Sequence, residues 1–122
     1  AAFWRDVRDQ TLDYFAPAAH GDATLWRLFV ASTAPWTNLA GDQLIEWGGA
    51  LRWVLARDTS AGTALRAWAA QHGGHATLYR GRDKAGGAFA PLSETMLALH
   101  RRLKDVFDPK RVLNPGRMYA AL

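Results

Sequence analysis

Apolar and polar positions repeat with period two in four short stretches of the chain and with helical spacing in three longer ones. Phe3, Val7, Leu12 and Phe15 give an imperfect helical spacing over residues 3 to 15, closed by Ala16-Pro17. Thr24 to Ala31 reads as a strand, with Trp26, Leu28 and Val30 on one side and Leu25, Arg27 and Phe29 on the other. After a loop over residues 32 to 41, Gln43 to Trp47 and Leu51 to Ala56 are joined by Gly48-Gly49-Ala50, a β-hairpin pattern. Asp58, Thr59 and Ser60 offer caps for a helix to about His72, whose stripe is Ala61, Ala64, Leu65 and Trp68 and whose stop is Gly73-Gly74. A strand from His75 to Tyr79 or Arg80 follows, then a polar loop from Gly81 to Gly87.

Pro91 to Ser93 opens a last helix in which Met96, Leu99, Leu103 and Val106 share one face. Pro109 drives Asp108 out of helical geometry and Pro115 does the same to Asn114, so the chain leaves in two turns with Gly116 free to take positive φ. The order helix, strand, hairpin, helix, strand, helix predicts an α+β fold: an antiparallel four-stranded sheet with helices packed on one face, of ferredoxin-like kind.

Composition narrows the class. One hundred and twenty-two residues, 49% hydrophobic with six Trp, suffice for one core, so residues 1–122 are expected to form a single domain. The absence of Cys excludes disulfides and thiolate chemistry. No apolar run approaches the roughly 20 residues of a membrane span. The net charge of +4, carried mostly by scattered Arg, does not point to nucleic acid. It suits contacts with acidic surfaces, carboxylates or phosphates. The chain enters helical pattern within a few residues of Ala1, which predicts a piece of a longer protein.

Chemistry-bearing motifs are scarce. His20, His72, His75 and His100 match no metal-ligand spacing; His72 and His75 flank the Gly-Gly helix exit, where structural roles are favoured, and His100 reads as a surface or boundary residue. There is no nucleophile elbow, P-loop or dinucleotide fingerprint. No catalytic residue and no metal site is therefore expected.

Three segments do carry a resemblance. The closing helix followed by Phe107-Asp108-Pro109 and Leu113-Asn114-Pro115-Gly116 resembles the C-terminal signature of FAD-linked oxidases of the vanillyl-alcohol oxidase superfamily. Trp47-Gly48-Gly49-Ala50-Leu51-Arg52-Trp53 and Gly73-Gly74-His75-Ala76-Thr77 are similar to the FAD-binding subunits of bacterial glycolate oxidases, and the likeness runs from about residue 24 to the end. It implies the C-terminal cap domain of a flavoprotein subunit, without the FAD domain, in a complex that oxidises glycolate to glyoxylate. FAD would belong to the parent, with none expected on this fragment, which should be inactive alone. The implied partners are the chain's own N-terminal FAD domain, the catalytic flavoprotein subunit and the iron-sulfur subunit. The location would be the cytoplasm, at the inner membrane only through those partners.

The departures matter as much. Related 2-hydroxyacid dehydrogenases place two metal-binding His on a hairpin. Laid on that motif, the present hairpin has Glu46 and Trp53 there. A later segment of those relatives supplies a metal carboxylate and a basic His, where this chain has Tyr79 and Arg80. Trp cannot bind a metal and Arg is a poor base, so metal-assisted proton abstraction is not expected. Tyr79 and Arg80 can still stack on a flavin or hold an anion, against the plainer reading of an exposed strand end. Trp47 and Trp53 read first as hairpin packing. Asn114, Pro115 and Gly116 match the family turn residue for residue, which implies a contact with FAD or its domain beside the plain role of ending a helix. Two alternatives stand: a non-catalytic assembly domain docking the partner subunits, and an unrelated ferredoxin-like ligand-binding domain.

Overall fold

In a computed structural model of the chain, the described residues are 2–16, 21–58 and 60–122. His20, Pro17 and the Thr59 cap lie outside them. The residues divide into two compact units, 1–82 and 83–122.

The first unit holds helix α1 (Ala2–Asp9), strands β1 (Thr24–Phe29), β2 (Asp42–Glu46) and β3 (Leu51–Ala56), helix α2 (Ala61–Gln71) and strand β4 (His75–Arg80). The strands form one antiparallel sheet in the order β2-β3-β1-β4, the order of a ferredoxin-like sheet. The segment between β1 and β2 crosses without a helix.

Alternation sorts the strand residues onto two faces. Cross-strand partners Trp26 and Val54, Leu28 and Arg52, and Leu28 and Ala76 share one face. Ala61, Leu65 and Ala69 of α2 are buried, and Gly62 lets the helix sit directly on Trp26, whose ring a Cβ would meet at 2.7 Å. Ala64 and Trp68, expected in the buried stripe, are exposed and half-buried respectively: the stripe turns one position to Ala69, and Trp68 stacks under the Arg52 guanidinium at 4.9 Å. Asp58 starts the helix, its carboxylate accepting from the Ser60 amide and hydroxyl at 2.8 and 2.7 Å. Gly73, at φ 72°, ends it in a Schellman turn with Gly73 N–H on Ala70 O and Gly74 N–H on Ala69 O.

On the opposite face Leu25, Leu51, Trp53 and Leu55 cluster with Phe15, which reaches the sheet from a 3₁₀ turn over Asp13–Phe15. The single helix expected over residues 3 to 15 is therefore two pieces. Gln10 takes φ 54°, and Gln10 N–H on Val7 O and Thr11 N–H on Asp6 O close α1 without a glycine. The break frees the next turn to aim Phe15 at Trp53, edge to face at 5.2 Å.

The second unit is built on α3 (Glu94–Phe107), capped by the Ser93 hydroxyl accepting from Met96 N–H. Its Met96, Leu99, Leu103 and Val106, the apolar face read from the sequence, are exposed. Asp108 is buried at the helix end. Its carboxylate accepts from the amides of Val112 and Leu113 at 3.0 and 2.9 Å and pairs with Lys104 at 3.0 Å. Burial by itself pushes this carboxyl up, but the Leu113, Lys104 and Val112 donors outweigh it and hold its pKa below the ordinary value. The acid of the Phe-Asp-Pro run thus folds the exit turn around itself. No described helix is long and apolar enough to cross a membrane.

Candidate functional site

The hairpin between β2 and β3 turns through three residues of positive φ, Trp47 at 51°, Gly48 at 60° and Gly49 at 97°. This tight exit pairs Glu46 with Leu51 and Leu44 with Trp53, so Glu46 and Trp53 stand on the same face, the one opposite α2. They touch: the Trp53 indole N–H donates to Glu46 Oε2 at 2.6 Å. The two hairpin positions that the sequence singles out therefore converge in space, and a hydrogen bond joins them. Among the described residues there is no group of three or more His, Asp or Glu placed to hold a metal ion.

Tyr79 and Arg80 come to this same face by an irregularity in β4. Trp26 pairs with Leu78, whereas Leu25 pairs with Arg80, leaving Tyr79 as an extra residue. The Tyr79 ring packs edge-on against Trp53 at 4.9 Å and its hydroxyl donates to Gln10 Oε1 at 2.9 Å. Arg80 Nη1 donates to Phe15 O at 2.7 Å. Both side chains are partly committed to the N-terminal segment, yet Tyr79 is exposed and Arg80 has further guanidinium donors.

Further along the face, Arg27 lies opposite both Trp53 and Thr77, and Phe29 opposite His75. The Arg27 guanidinium sits 4.6 Å from the Phe29 ring and 5.5 Å from Trp53, and the His75 ring lies tilted beside Phe29 at 5.6 Å. Sequence reasoning did not single out Arg27. The signal was there: it is the one cation on the otherwise apolar side of β1.

Behind the sheet, Arg52 is buried with no carboxylate partner among the described residues. Its fork donates to the carbonyls of Ala34, Pro35 and Gly49, and burial pulls its pKa down. It fastens the crossover before β2 to the hairpin turn. His72 Nδ1 is bonded to Trp68 O and the rings stack at 4.3 Å, a structural role at the helix exit. Beside α1, a groove of about 710 Å³ is lined by Phe3, Trp4, Val7, Leu44, Ile45 and Trp47.

Asn114, Pro115 and Gly116 lie in the second unit, so the structure does not gather all five expected cofactor residues into one unit. Asn114 and Gly116 take φ 46° and 67°, and the turn closes on itself through Arg117 N–H to Asn114 O and Gly116 N–H to Leu122 O. Asn114 is exposed. In the first unit Tyr79 and Arg80 offer one ring and part of one guanidinium, and in the second Asn114 offers one side-chain amide, groups chemically suited to edge contacts with a flavin rather than to cradling its phosphates.

Residues 56–118 match the family of FAD linked oxidases, C-terminal domain, and the chain belongs to that family. It is 44% identical over 120 residues to glycolate oxidase subunit GlcE of Escherichia coli strain K12, covering 98% of this chain and 32% of that protein. The chain thus spans about a third of its relative's length. No solved structure matches it. Family membership removes the reading as an unrelated ligand-binding domain.

Proposed function

We propose that residues 1–122 are the C-terminal domain of the FAD-binding subunit of a glycolate oxidase, roofing the flavin and docking partner subunits. The 44% identity across 98% of the chain carries this reading. FAD, held mainly by the preceding domain, would supply the two-electron acceptor for converting glycolate to glyoxylate. Tyr79 would offer its ring to the flavin edge and Arg80 its remaining donors to an anionic group, while the Asn114-Pro115-Gly116 turn would contact the FAD domain. The partners are the catalytic flavoprotein and iron-sulfur subunits, and the setting is the cytoplasm, with the inner membrane reached through those subunits.

The test is to co-express the parent subunit with its partners and measure co-purification, bound FAD and glycolate-dependent dye reduction. Deleting this domain should abolish assembly and turnover. The isolated chain should be inactive and bind FAD weakly or not at all. One equivalent of tightly bound FAD would overturn that part.

A second reading, a purely assembling domain, is favoured by two observations: Glu46 and Trp53 satisfy each other, and Tyr79 and Arg80 already bond within the chain. Under it, Tyr79→Phe and Arg80→Ala leave turnover of the complex unchanged, whereas a flavin-side role requires a clear fall.

A further inference from the structure

Helix α3 carries more exposed apolar surface than a solvated helix needs. Met96, Leu99, Leu103 and Val106 repeat at helical spacing along one side, and Phe107, 78% exposed, ends the row. A contiguous apolar row left in water marks a surface that meets something else. Cations flank it. Arg102 lies one turn from both Leu99 and Val106, Arg101 stands further round the helix, and Lys110 follows just beyond its end. All three are exposed, and no carboxylate among the described residues lies within ion-pair distance of them. The acids that could neutralise them are already held: Asp105 by Arg111 at 2.7 Å and the buried Asp108 by Lys104 at 3.0 Å. From Glu94 to Arg117 the chain has six cations against three acids, which leaves on this stretch three of the four net positive charges of the whole molecule.

An apolar row with unpaired cations at its margins is complementary to an anionic lipid surface: the apolar side chains enter the acyl boundary, while the aliphatic stems of the arginines lie along them and keep the guanidinium groups level with the phosphates. A protein partner has to bring a fixed acid to each cation. Lipid headgroups are mobile, which suits charges spread around and beyond a helix rather than gathered in one pocket. At 14 residues α3 is too short to span a bilayer and long enough to lie in its interface. We propose that α3 binds the surface of an anionic lipid bilayer, with Leu99, Leu103, Val106 and Phe107 entering the acyl boundary and Arg101, Arg102 and Lys110 on the headgroup phosphates. The contact is direct, additional to any made through partner subunits, and stands on α3 alone whatever the parent oxidises.

The experiment mixes the 122-residue chain with vesicles of phosphatidylcholine alone, or of phosphatidylcholine and phosphatidylglycerol in equal parts, and measures co-sedimentation. Binding to the anionic vesicles only, lost at high salt, is expected. Arg101→Gln and Arg102→Gln should each weaken it about fivefold, and Val106→Asp combined with Phe107→Ser should abolish it. Because the chain has no Cys, a single introduced one can carry an environment-sensitive dye. On Leu103→Cys the dye should brighten with anionic vesicles; on Ala98→Cys, at an exposed position on the far side of the helix, it should not. No binding by the wild type, equal binding to both vesicle types, equal brightening at both dye positions, or retained binding in the double variant overturns the proposal. Should the double variant fail to fold, the dye positions decide. In the parent subunit assembled with its partners, Arg101→Gln and Arg102→Gln should likewise lower vesicle binding. A complex whose binding ignores both variants shows α3 to be covered by protein instead, and overturns the proposal.

Discussion

The indole N–H of Trp53 donates to the carboxylate of Glu46 at 2.6 Å across the β2–β3 hairpin, on the sheet face that α2 does not cover. A hydrogen bond to an ionised acceptor in a partly dry setting is among the stronger single contacts in a small domain. Trp53→Phe should destabilise the chain by about 1–3 kcal/mol. Glu46→Gln, which keeps an acceptor, should cost less. A urea-unfolding double-mutant cycle with Glu46→Ala should return a coupling of about 1–2 kcal/mol; additive losses would show the pair to be incidental.

Gly74 has no room for a side chain. A Cβ there would meet the Phe29 carbonyl oxygen at 1.7 Å, and that neighbour is backbone rather than a movable side chain. Gly74→Ala should cost on the order of 3 kcal/mol or more, read as a lower midpoint in thermal unfolding. Gly86→Ala, where nothing lies within 4 Å, should be nearly neutral.

Arg52 substitutions should act on the crossover segment. Arg52→Ala leaves three carbonyls without their donor and uncovers Trp68, at a cost of about 2–4 kcal/mol. Limited proteolysis should then cut between residues 31 and 41 faster than in the wild type. Arg52→Lys keeps the charge but not the fork, and should fall between the two.

Asp108 predicts an acid limb for the second unit. Its folded pKa lies below the ordinary 3.8, so its contribution is fully present above that value and is lost as pH falls through the lower folded one. The Val112 and Leu113 amide resonances should move together in that acid range. In Asp108→Asn they should be displaced already at neutral pH and lack the transition.

Much of the sheet was legible in the sequence because its signals are local. Glycines at 48 and 49 between two β-forming runs set the hairpin, and Gly73-Gly74 the helix stop. What escaped depends on partners distant along the chain. Nothing in the spacing of Phe3, Val7, Leu12 and Phe15 shows that Gln10 adopts φ 54° and splits the helix. Glu46 and Trp53 were marked by resemblance as two altered positions, but their bond follows from register, which only the folded hairpin defines. Arg27 was placed on the correct side of its strand, yet its lack of a counter-ion among the described residues is a property of the surrounding face.

The extra residue in β4 has a consequence for how the domain can change. With regular pairing, Arg80 would stand on the α2 side and only Tyr79 would share a face with Arg27. One inserted position therefore gathers Tyr79, Arg80 and Arg27 on a common surface while leaving strand order untouched. A register in which Arg80 paired with Thr24, every residue kept and the irregularity gone, would readdress a positive charge from one side of the sheet to the other, so that two family members could share every element and yet present opposite chemistry to whatever they meet.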